Sequence, residues 1–201
     1  MIKLLPLFPS SVYHFILDED TSQLDPRGFN FVKHGGNTFA SSSNNIRVLE
    51  EYPNIKKIIL NKFKEIAKNN LGYNCDFKIS TSWFTKIEKG GYADFHVHRN
   101  CMYSGIYYFG NNYNKGSGKL CFRSHIQHYS DYHIQSSNKD LLSATSWSIL
   151  PEPKKIVLFP SYLEHAILEH NEDAIRYSLA FNFYPVGEYG IGDSTHNTYW
   201  E

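Results

Sequence analysis

A series of short strand-like runs fills the second half of the chain and limits the folds open to it. Phe77, Ile79, Thr81, Trp83, Thr85 and Ile87 alternate with a second set that is mostly polar. Further runs occupy residues 103–109, 119–123, 145–150, 155–160, 165–170 and 176–185, with Gly, Asn, Ser, Pro or acidic residues between them. Alternation with a period of two is typical of strands, and short strands with no helix between them favour an antiparallel architecture. The sequence therefore predicts a mainly β protein of the sandwich or jelly-roll class.

One segment has the helical period instead. In residues 53–70 lysines lie opposite a set of apolar residues that recur at helical spacing. The apolar residues are Ile55, Ile58, Ile59, Phe63 and Ile66. Pro53 suits the first turn of a helix, and Leu71-Gly72 suits its end. The pattern predicts one N-terminal helix that packs against a sheet.

The length favours a single domain. At 201 residues the chain has the size of one domain with elaborations. We expect a lead-in and helix at 1–72, a β core at 73–185 and a peripheral tail at 186–201. In residues 1–17 the expected core contacts are Leu4, Leu7, Val12, Phe15 and Ile16. The polar stretch that follows, as far as Asn45, is expected to form mainly loops, and residues 110–118 and 124–144 are long enough to be rims or lids.

Charge and cysteine content narrow the possible partners. Twenty basic and 20 acidic residues give a formal charge of zero, which argues against an extended nucleic-acid footprint or a polybasic membrane patch. No apolar stretch approaches the roughly 18 residues of a membrane span, and Pro6 and Pro9 interrupt the apolar start.

The three cysteines, Cys75, Cys101 and Cys121, have no metal-type spacing. We therefore expect reduced thiols and a soluble, cytoplasmic protein. Oligomeric state is not readable from the sequence.

A pair of histidines opens the first candidate site. His96 and His98 stand two residues apart in the run ADFHVH. In a strand, residues two apart point to the same face, so two imidazoles would lie side by side. Two ordinary polar histidines would give the same pattern.

A second cluster has His165 and Arg176 as its main members. His165 stands 67 residues after His98, and Arg176 stands 11 residues after His165. On the run that begins at Arg176, one face is apolar, and Arg176, Ser178, Ala180 and Asn182 form the other face. An arginine inside a hydrophobic strand is costly unless an anion pairs with it. The anion could be a ligand, or a surface carboxylate such as Glu172 or Asp173.

Together the two clusters supply the parts of a non-haem iron centre. Such a centre needs three ligands on one side of a metal with the opposite positions open. A nearby guanidinium can hold a carboxylate through paired hydrogen bonds.

In these motifs and their order the sequence resembles the 2-oxoglutarate- and Fe(II)-dependent oxygenases. It is most similar to the prolyl-hydroxylase-like branch and to oxygenases of marine bacteria and phages, and a phage-encoded member would act in the host cytoplasm. The resemblance covers about Ser82 to Asn182, with an echo in the opening LLPLFPSSVY. Its pieces are WFTKIEKGG, HVH, SGIYYF, GKLCF, IVLFPSYLEH and RYSLAFN.

The resemblance implies a fold, an activity and roles for several residues. The fold would be a double-stranded β-helix, a jelly roll, and the cofactors would be Fe(II), 2-oxoglutarate and O₂. His96 and His165 would be metal ligands. Arg176 would bind the distal carboxylate of 2-oxoglutarate, with Ser178 beside it and Tyr108 as a hydrogen-bonding neighbour. The activity would be a hydroxylation that couples decarboxylation of 2-oxoglutarate to succinate with oxidation of a C–H bond.

The chain departs from the family pattern at one position. Where the commonest motif, HxD, has an aspartate, this sequence has His98. Three possibilities follow: His98 is the third ligand, Asp94 or Asn100 takes its place, or the site has only two protein ligands. We favour His98.

Other interpretations stay open at this stage. His125, His128, Asp131 and His133 could bind a divalent ion, although a polar lid loop that contacts substrate is the simpler reading. The protein could also be a cupin-like three-histidine oxygenase that does not use 2-oxoglutarate, or a jelly-roll binding module without catalysis. A peptidyl proline, a small metabolite or a modified base are all open as substrates.

Overall fold

The computed structural model describes residues 9–111, 113–124 and 144–198. Within these ranges it contains one α-helix, α1 (Pro53–Asn69), and 12 strands. The strands are β1 (Tyr13–Ile16), β2 (Phe31–His34), β3 (Asn37–Ser43), β4 (Asp76–Ile87), β5 (Ala93–His96), β6 (Tyr103–Tyr108), β7 (Leu120–Arg123), β8 (Ser146–Ile149), β9 (Lys155–Pro160), β10 (His165–Ile167), β11 (Arg176–Tyr189) and β12 (His196–Thr198). No described helix combines the length and the apolar character that a membrane span requires.

The strands form a large and a small antiparallel sheet. The large sheet has the order β1-β9-β6-β11-β4-β3-β2, with β12 paired to the far end of β11, and the small sheet has the order β5-β10-β7-β8. One hydrophobic cluster contains residues of both sheets, among them Tyr108 and Phe159 from the large sheet and Phe122 from the small one. The two sheets therefore pack face to face, and the jelly-roll prediction is confirmed.

The helix supports the opposite face of the large sheet. Its buried residues are Ile55, Ile59, Phe63 and Ala67. Phe63 stacks on Phe183 of β11 with ring centroids 3.9 Å apart. After the helix, Gly72 has a φ of 69°, a left-handed conformation that glycine adopts most easily. The predicted helix and its end are thus present.

Strand β11 lies between two hydrophobic clusters, as its alternation predicted. One is the cluster between the sheets, and the other is formed by the opposite face of the large sheet with α1. Leu179, Phe181 and Phe183 lie in the cluster below α1. Arg176 and Ser178 are also buried, but on the alternate set of positions. The close packing below β11 requires a glycine at position 105, since a methyl group there would overlap the ring of Phe181.

The single alternating face expected from Phe77 to Ile87 is wrong. The register between β4 and β11 shifts between Thr81 and Ile79, so Ser80 is an extra residue in β4. Because such a bulge reverses the parity of the strand, Phe77, Ile79 and Phe84 share the cluster below α1, whereas Ile87 belongs to the cluster between the sheets.

The prediction of loops up to Asn45 is also incorrect, because β2 and β3 form a hairpin that extends the large sheet beside β4. Their Ser- and Asn-rich sequence hid the pairing. Among the expected core contacts of the lead-in, Leu4 and Leu7 lie outside the described residues, and Val12 and Phe15 pack against the clusters. Ile16 is 46% exposed at the end of the edge strand β1, so its assignment to the core was wrong.

The described part of the tail contains regular structure. Strand β11 continues to Tyr189, beyond the expected end of the core, and β12 pairs with it from Gly187 to Tyr189. Most residues from Tyr189 to Thr198 are exposed.

Candidate active site

Three histidines come together at the edge of the space between the two sheets. His96 of β5 and His165 of β10 are directly paired residues of adjacent strands, and their ring centroids are 4.4 Å apart. The ring of His98 lies 5.1 Å from that of His96 and 5.0 Å from that of His165. One ring nitrogen from each residue lies within 4.8 Å of the other two. This spacing allows one metal ion to contact all three imidazoles.

Hydrogen bonds fix the tautomer of two of these rings. Nδ1 of His96 is 2.7 Å from the carbonyl oxygen of Asp94, and Nδ1 of His165 is 2.9 Å from that of Leu163. Because a carbonyl oxygen can only accept, Nδ1 carries the proton in both rings. The lone pair of Nε2 is then available to a metal, an arrangement common for metal-bound histidine.

His98 is held differently from the other two. The predicted strand was expected to include both His96 and His98, but β5 ends at His96. The backbone N–H of His98 instead donates to the carbonyl of Ser161 at 3.0 Å. Its ring packs against Trp83, with centroids 5.6 Å apart.

Burial keeps two of the three imidazoles neutral. It lowers the pKa of His165 to about 3 and that of His98 to about 4, with a smaller contribution from the neighbouring histidines. A neutral imidazole is the form that binds a metal. At neutral pH both rings are therefore ready to act as ligands.

The other residues considered for the third position lie elsewhere. Asp94 is exposed, and its contact with the cluster is the backbone carbonyl that accepts from His96. Asn100 is also exposed, in a left-handed turn with φ 60°. In the described part of the chain, His96, His98 and His165 are the group with metal-binding geometry, and it contains no carboxylate.

Arg176 is buried with its charge unpaired. The residue is 2% exposed, and none of its guanidinium nitrogens has a hydrogen-bond partner among the described residues. Of the two surface carboxylates considered for it, Asp173 pairs with Lys89 instead, and Glu172 makes no hydrogen bond to the guanidinium. A buried guanidinium without an anion is unfavourable, so this position is suited to an anionic ligand.

Tyr108 and Ser178 lie beside Arg176 in the same space. The guanidinium carbon of Arg176 is 5.0 Å from the ring centroid of Tyr108, whose buried hydroxyl also has no hydrogen-bond partner in the described residues. Burial raises the pKa of Tyr108, while Arg176 opposes that rise. The hydroxyl of Ser178 lies 2.5 Å from that of Thr85 on the neighbouring strand. Tyr108 therefore contacts Arg176, and Ser178 lies two residues after Arg176 on the same set of alternating positions in β11.

The histidines and Arg176 border one apolar space. His165 contacts Phe159 and Phe122, with ring centroids 4.6 and 6.3 Å away. Both rings belong to the cluster between the sheets, which also includes Tyr108 and Ile87, and Ile87 is the cross-strand partner of Arg176. Apolar side chains therefore lie between His165 and Arg176.

Sequence reasoning missed three residues near this space. Trp83 contacts His98 because the bulge in β4 turns it inward, and no signal in the sequence marks that bulge. His34 hydrogen-bonds the hydroxyl of Ser42 at 2.8 Å, and its pKa is lowered by burial and, to a smaller extent, by His96. Tyr113 packs against Tyr108, in a loop that was expected to be a rim.

The candidate group His125, His128, Asp131 and His133 lies outside the described residues.

Comparison with known proteins gives a consistent result. Residues 81–182 match the family described as "Putative 2OG-Fe(II) oxygenase". No curated protein sequence matches the chain.

Among solved structures, the chain is similar to HygX from Streptomyces hygroscopicus with nickel, 2-oxoglutarate and hygromycin B bound. The TM-score is 0.59 at 10% identity, over 88% of this chain and 83% of HygX. The carbocyclase SnoK from nogalamycin biosynthesis has a TM-score of 0.61 at 10% identity, over 87% of this chain and 79% of SnoK. A prolyl-4-hydroxylase from Pseudomonas putida has a TM-score of 0.51 at 15% identity, over 79% of each chain.

The structural similarities establish a shared fold, and the family match covers the segment that contains His96, His98, His165 and Arg176. The chain therefore belongs to the 2OG-Fe(II) oxygenase family.

Proposed function

We propose that the protein is a non-haem Fe(II)- and 2-oxoglutarate-dependent oxygenase that hydroxylates an organic substrate. The observation that carries this proposal is the unpaired guanidinium of Arg176, buried in the same inter-sheet space that the three histidines border. A metal site alone would not require this buried cation, whereas a metal-bound dianion with a distal carboxylate would.

The histidine cluster fits a ferrous ion. His96, His98 and His165 would hold it through neutral imidazole nitrogens, a donor type that suits iron. The hydrogen bonds from Nδ1 of His96 and His165 orient two of the rings before any metal binds. Since the cluster lies at the edge of the space and His96 is exposed, a substrate can reach it from solvent.

Arg176 and its neighbours would bind 2-oxoglutarate. The guanidinium can hold the distal carboxylate through two parallel hydrogen bonds. The buried hydroxyls of Tyr108 and Ser178 are further donors at the same place. The site has no carboxylate among the described ligands, so an anionic cosubstrate meets only neutral and positive groups.

Iron held by His96, His98 and His165 would supply, with 2-oxoglutarate, the oxidation of a C–H bond by O₂, in which one oxygen atom enters the substrate as a hydroxyl group and the other enters succinate, with release of CO₂. The chain would orient these groups. Phe122 and Phe159 pack beside His165 and would limit the access of water to the reacting groups.

The substrate is proposed only by class: a small molecule or a peptidyl residue. Support comes from the HygX structure, which holds hygromycin B, and from the similar prolyl-4-hydroxylase. The zero formal charge disfavours a long nucleic acid. We also propose a cytoplasmic location, which the free thiols of Cys75, Cys101 and Cys121 support.

A second candidate is a three-histidine oxygenase that does not use 2-oxoglutarate. It is favoured by one observation, the lack of a carboxylate in the described metal-binding group. It leaves the buried charge of Arg176 without a ligand, and for this reason we rank it lower. A jelly-roll binding module without metal would leave both features without a purpose.

Anaerobic titration of the metal-free protein with Fe(II) and then 2-oxoglutarate tests the proposal. A chelate of iron with a 2-oxo acid has a visible charge-transfer band, which we expect to appear with one equivalent of each. In Arg176→Ala the band should require far more 2-oxoglutarate. Arg47→Ala, which removes an exposed arginine, is the matched control and should behave like the parent protein.

The alternatives predict other results. Stoichiometric iron binding without the band supports the three-histidine oxygenase. A protein that binds no iron contradicts both enzyme proposals. A band that is equally strong in Arg176→Ala removes Arg176 from the cosubstrate site.

A further inference from the structure

We propose that Tyr113, in the loop between β6 and β7, is a positioning residue for Arg176 and thereby makes the site selective for a dicarboxylate over a monocarboxylate 2-oxo acid. The inference rests on the function proposed above. It concerns a residue outside the histidine and arginine motifs.

The hydroxyl of Tyr113 joins the two strands that carry the cosubstrate-binding residues. It donates to the carbonyl of Tyr177 at 2.7 Å and accepts the N–H of Gly110 at 3.0 Å. Tyr177 directly follows Arg176 in β11, and Gly110 lies two residues beyond Tyr108 at the end of β6. A single side chain therefore ties the start of β11 to the end of β6.

The ring of Tyr113 packs edge to face against the ring of Tyr108. Its centroid is 5.5 Å from that of Tyr108, with the two planes at 75°. Tyr108 in turn contacts the guanidinium of Arg176. Burial raises the pKa of Tyr113 and Arg176 opposes the rise, in agreement with a buried phenol close to that cation. Tyr108 thus contacts both Arg176 and Tyr113.

Arg176 needs such support because no ion pair in the described residues orients it. A free arginine side chain has about 2 kcal/mol of rotamer entropy, so its two-pronged geometry must be imposed by packing. A shift of the start of β11 relative to β6 would move the guanidinium away from Tyr108. Tyr113 is the described side chain that hydrogen-bonds both strand ends at this point.

Tyr113 acts through Arg176 and does not bind the carboxylate itself. A phenol has one proton, and the hydroxyl of Tyr113 donates it to the carbonyl of Tyr177. No donor is left for an anion. Its effect should therefore fall on the distal carboxylate and leave chelation of the metal unchanged.

The experiment compares two 2-oxo acids in Tyr113→Phe. The protein is loaded with Fe(II) without oxygen and titrated with 2-oxoglutarate and, separately, with 2-oxobutyrate, which chelates identically but lacks the distal carboxylate. Tyr113→Phe removes both hydrogen bonds of this hydroxyl, and the resulting loss of orientation of Arg176 predicts a roughly five- to tenfold higher Kd for 2-oxoglutarate. The Kd for 2-oxobutyrate should not change.

Tyr107→Phe is the matched control. Tyr107 is the neighbour of Tyr108 in β6, it is fully buried, and its hydroxyl hydrogen-bonds that of Thr21 at 2.5 Å. It belongs to the cluster on the other face of the sheet. This variant also loses the hydrogen bonding of a buried tyrosine hydroxyl, here to Thr21, and should leave both Kd values unchanged.

Gly110→Ala approaches the same contact without removing the hydroxyl. A methyl group there would lie 3.1 Å from the oxygen of Tyr113 and crowd it. We expect a smaller loss of affinity for 2-oxoglutarate, again without an effect on 2-oxobutyrate. This variant tests the inference if Tyr113→Phe does not fold.

The results separate the inference from the proposed function. If the parent protein prefers 2-oxoglutarate and both variants keep that preference in full, Tyr113 does not position Arg176. Equal weakening of both acids in Tyr113→Phe also overturns the inference, because it indicates general loosening of the metal site. If the parent protein itself shows no preference, the proposed function fails and the inference fails with it.

Discussion

His96 and His165 face each other across adjacent antiparallel strands, as a directly paired couple with ring centroids 4.4 Å apart. Their distance is set by the backbone hydrogen bonds of the small sheet. His165 is paired on its other side with Phe122, which places an aromatic wall next to the metal position. Groups held on strands are more precisely placed than groups on loops. The metal site is thus organised before a metal binds.

The replacement of the usual aspartate by His98 should affect metal and cosubstrate in opposite directions. His98→Asp adds a negative charge at the metal, so we expect tighter binding of Fe(II) and weaker binding of the 2-oxoglutarate dianion. A unit charge about 4 Å away is worth about 4 kcal/mol at an effective dielectric constant near 20. A change of at least about tenfold in each Kd is therefore expected, measured by anaerobic titration.

His98→Asn is the control, since it removes the imidazole without adding a charge. It should weaken Fe(II) binding, whereas we expect His98→Asp to strengthen it. If His98→Asp binds 2-oxoglutarate as tightly as the parent protein, the neutral ligand set has no role in attracting the cosubstrate.

The buried histidines predict a loss of stability in acid for the metal-free protein. The pKa of His165 is lowered to about 3 in the folded state, against 6.5 as the ordinary value. Between these values the unfolded chain binds the proton and the folded chain does not. The stabilisation is therefore complete above pH 6.5 and is lost as the pH falls towards 3, by at most about 1.4 kcal/mol per pH unit.

Urea unfolding at pH 7 and pH 5 in the presence of a chelator measures this loss. His165→Asn should show a smaller decrease in unfolding free energy between the two pH values than the parent protein. His14→Asn, at an exposed histidine of β1, should show the full decrease. The same decrease in all three proteins would contradict a neutral, buried His165.

The unpaired charge of Arg176 predicts a conflict between stability and function. Arg176→Met replaces a buried guanidinium with an apolar side chain of similar length. Such replacements often stabilise a protein by about 1–4 kcal/mol. We expect a higher Tm for Arg176→Met than for the parent protein when 2-oxoglutarate is absent.

Thermal unfolding in the presence of Mn(II) and 2-oxoglutarate completes this test. Addition of 2-oxoglutarate to the Mn(II)-loaded protein should raise the Tm of the parent protein further, by mass action, but not that of Mn(II)-loaded Arg176→Met. A variant that is less stable than the parent and still responds to 2-oxoglutarate would show that Arg176 has a structural partner.

The helix is expected to be part of one cooperative unit with the sheets. Phe63 of α1 is fully buried and stacks on Phe183 of β11. Phe63→Ala should lower the unfolding free energy by about 3–5 kcal/mol. The helical and aromatic circular-dichroism signals should still be lost in a single transition. Two separate transitions would contradict the single domain that we expect for residues 1–201.

Much of the fold could be predicted because local patterns determine it. The helical period at 53–69 and the two faces of β11 depend on alternation of apolar residues, which the sequence displays directly. The bulge at Ser80 could not be predicted, because one extra residue in a strand leaves no compositional mark. As a result, the contact between Trp83 and His98 appeared only in the structure.

The candidate site was predictable where short motifs define it. The HVH run, His165 and the arginine strand indicated residues that the fold brings to one inter-sheet space. His34 and Tyr113 belong to polar segments without a regular period, and their positions depend on pairing with distant strands or carbonyls. Such long-range contacts have no local signal.

The proposed metal and cosubstrate sites are tested most directly by a structure of crystals grown without oxygen in the presence of Mn(II) and 2-oxoglutarate. We expect one metal ion bonded to His96, His98 and His165, with Nε2 as the donor atom of His96 and His165. We also expect the distal carboxylate of 2-oxoglutarate to pair with the guanidinium of Arg176. A metal bound elsewhere, or a cosubstrate whose carboxylate does not contact Arg176, would contradict the proposed sites.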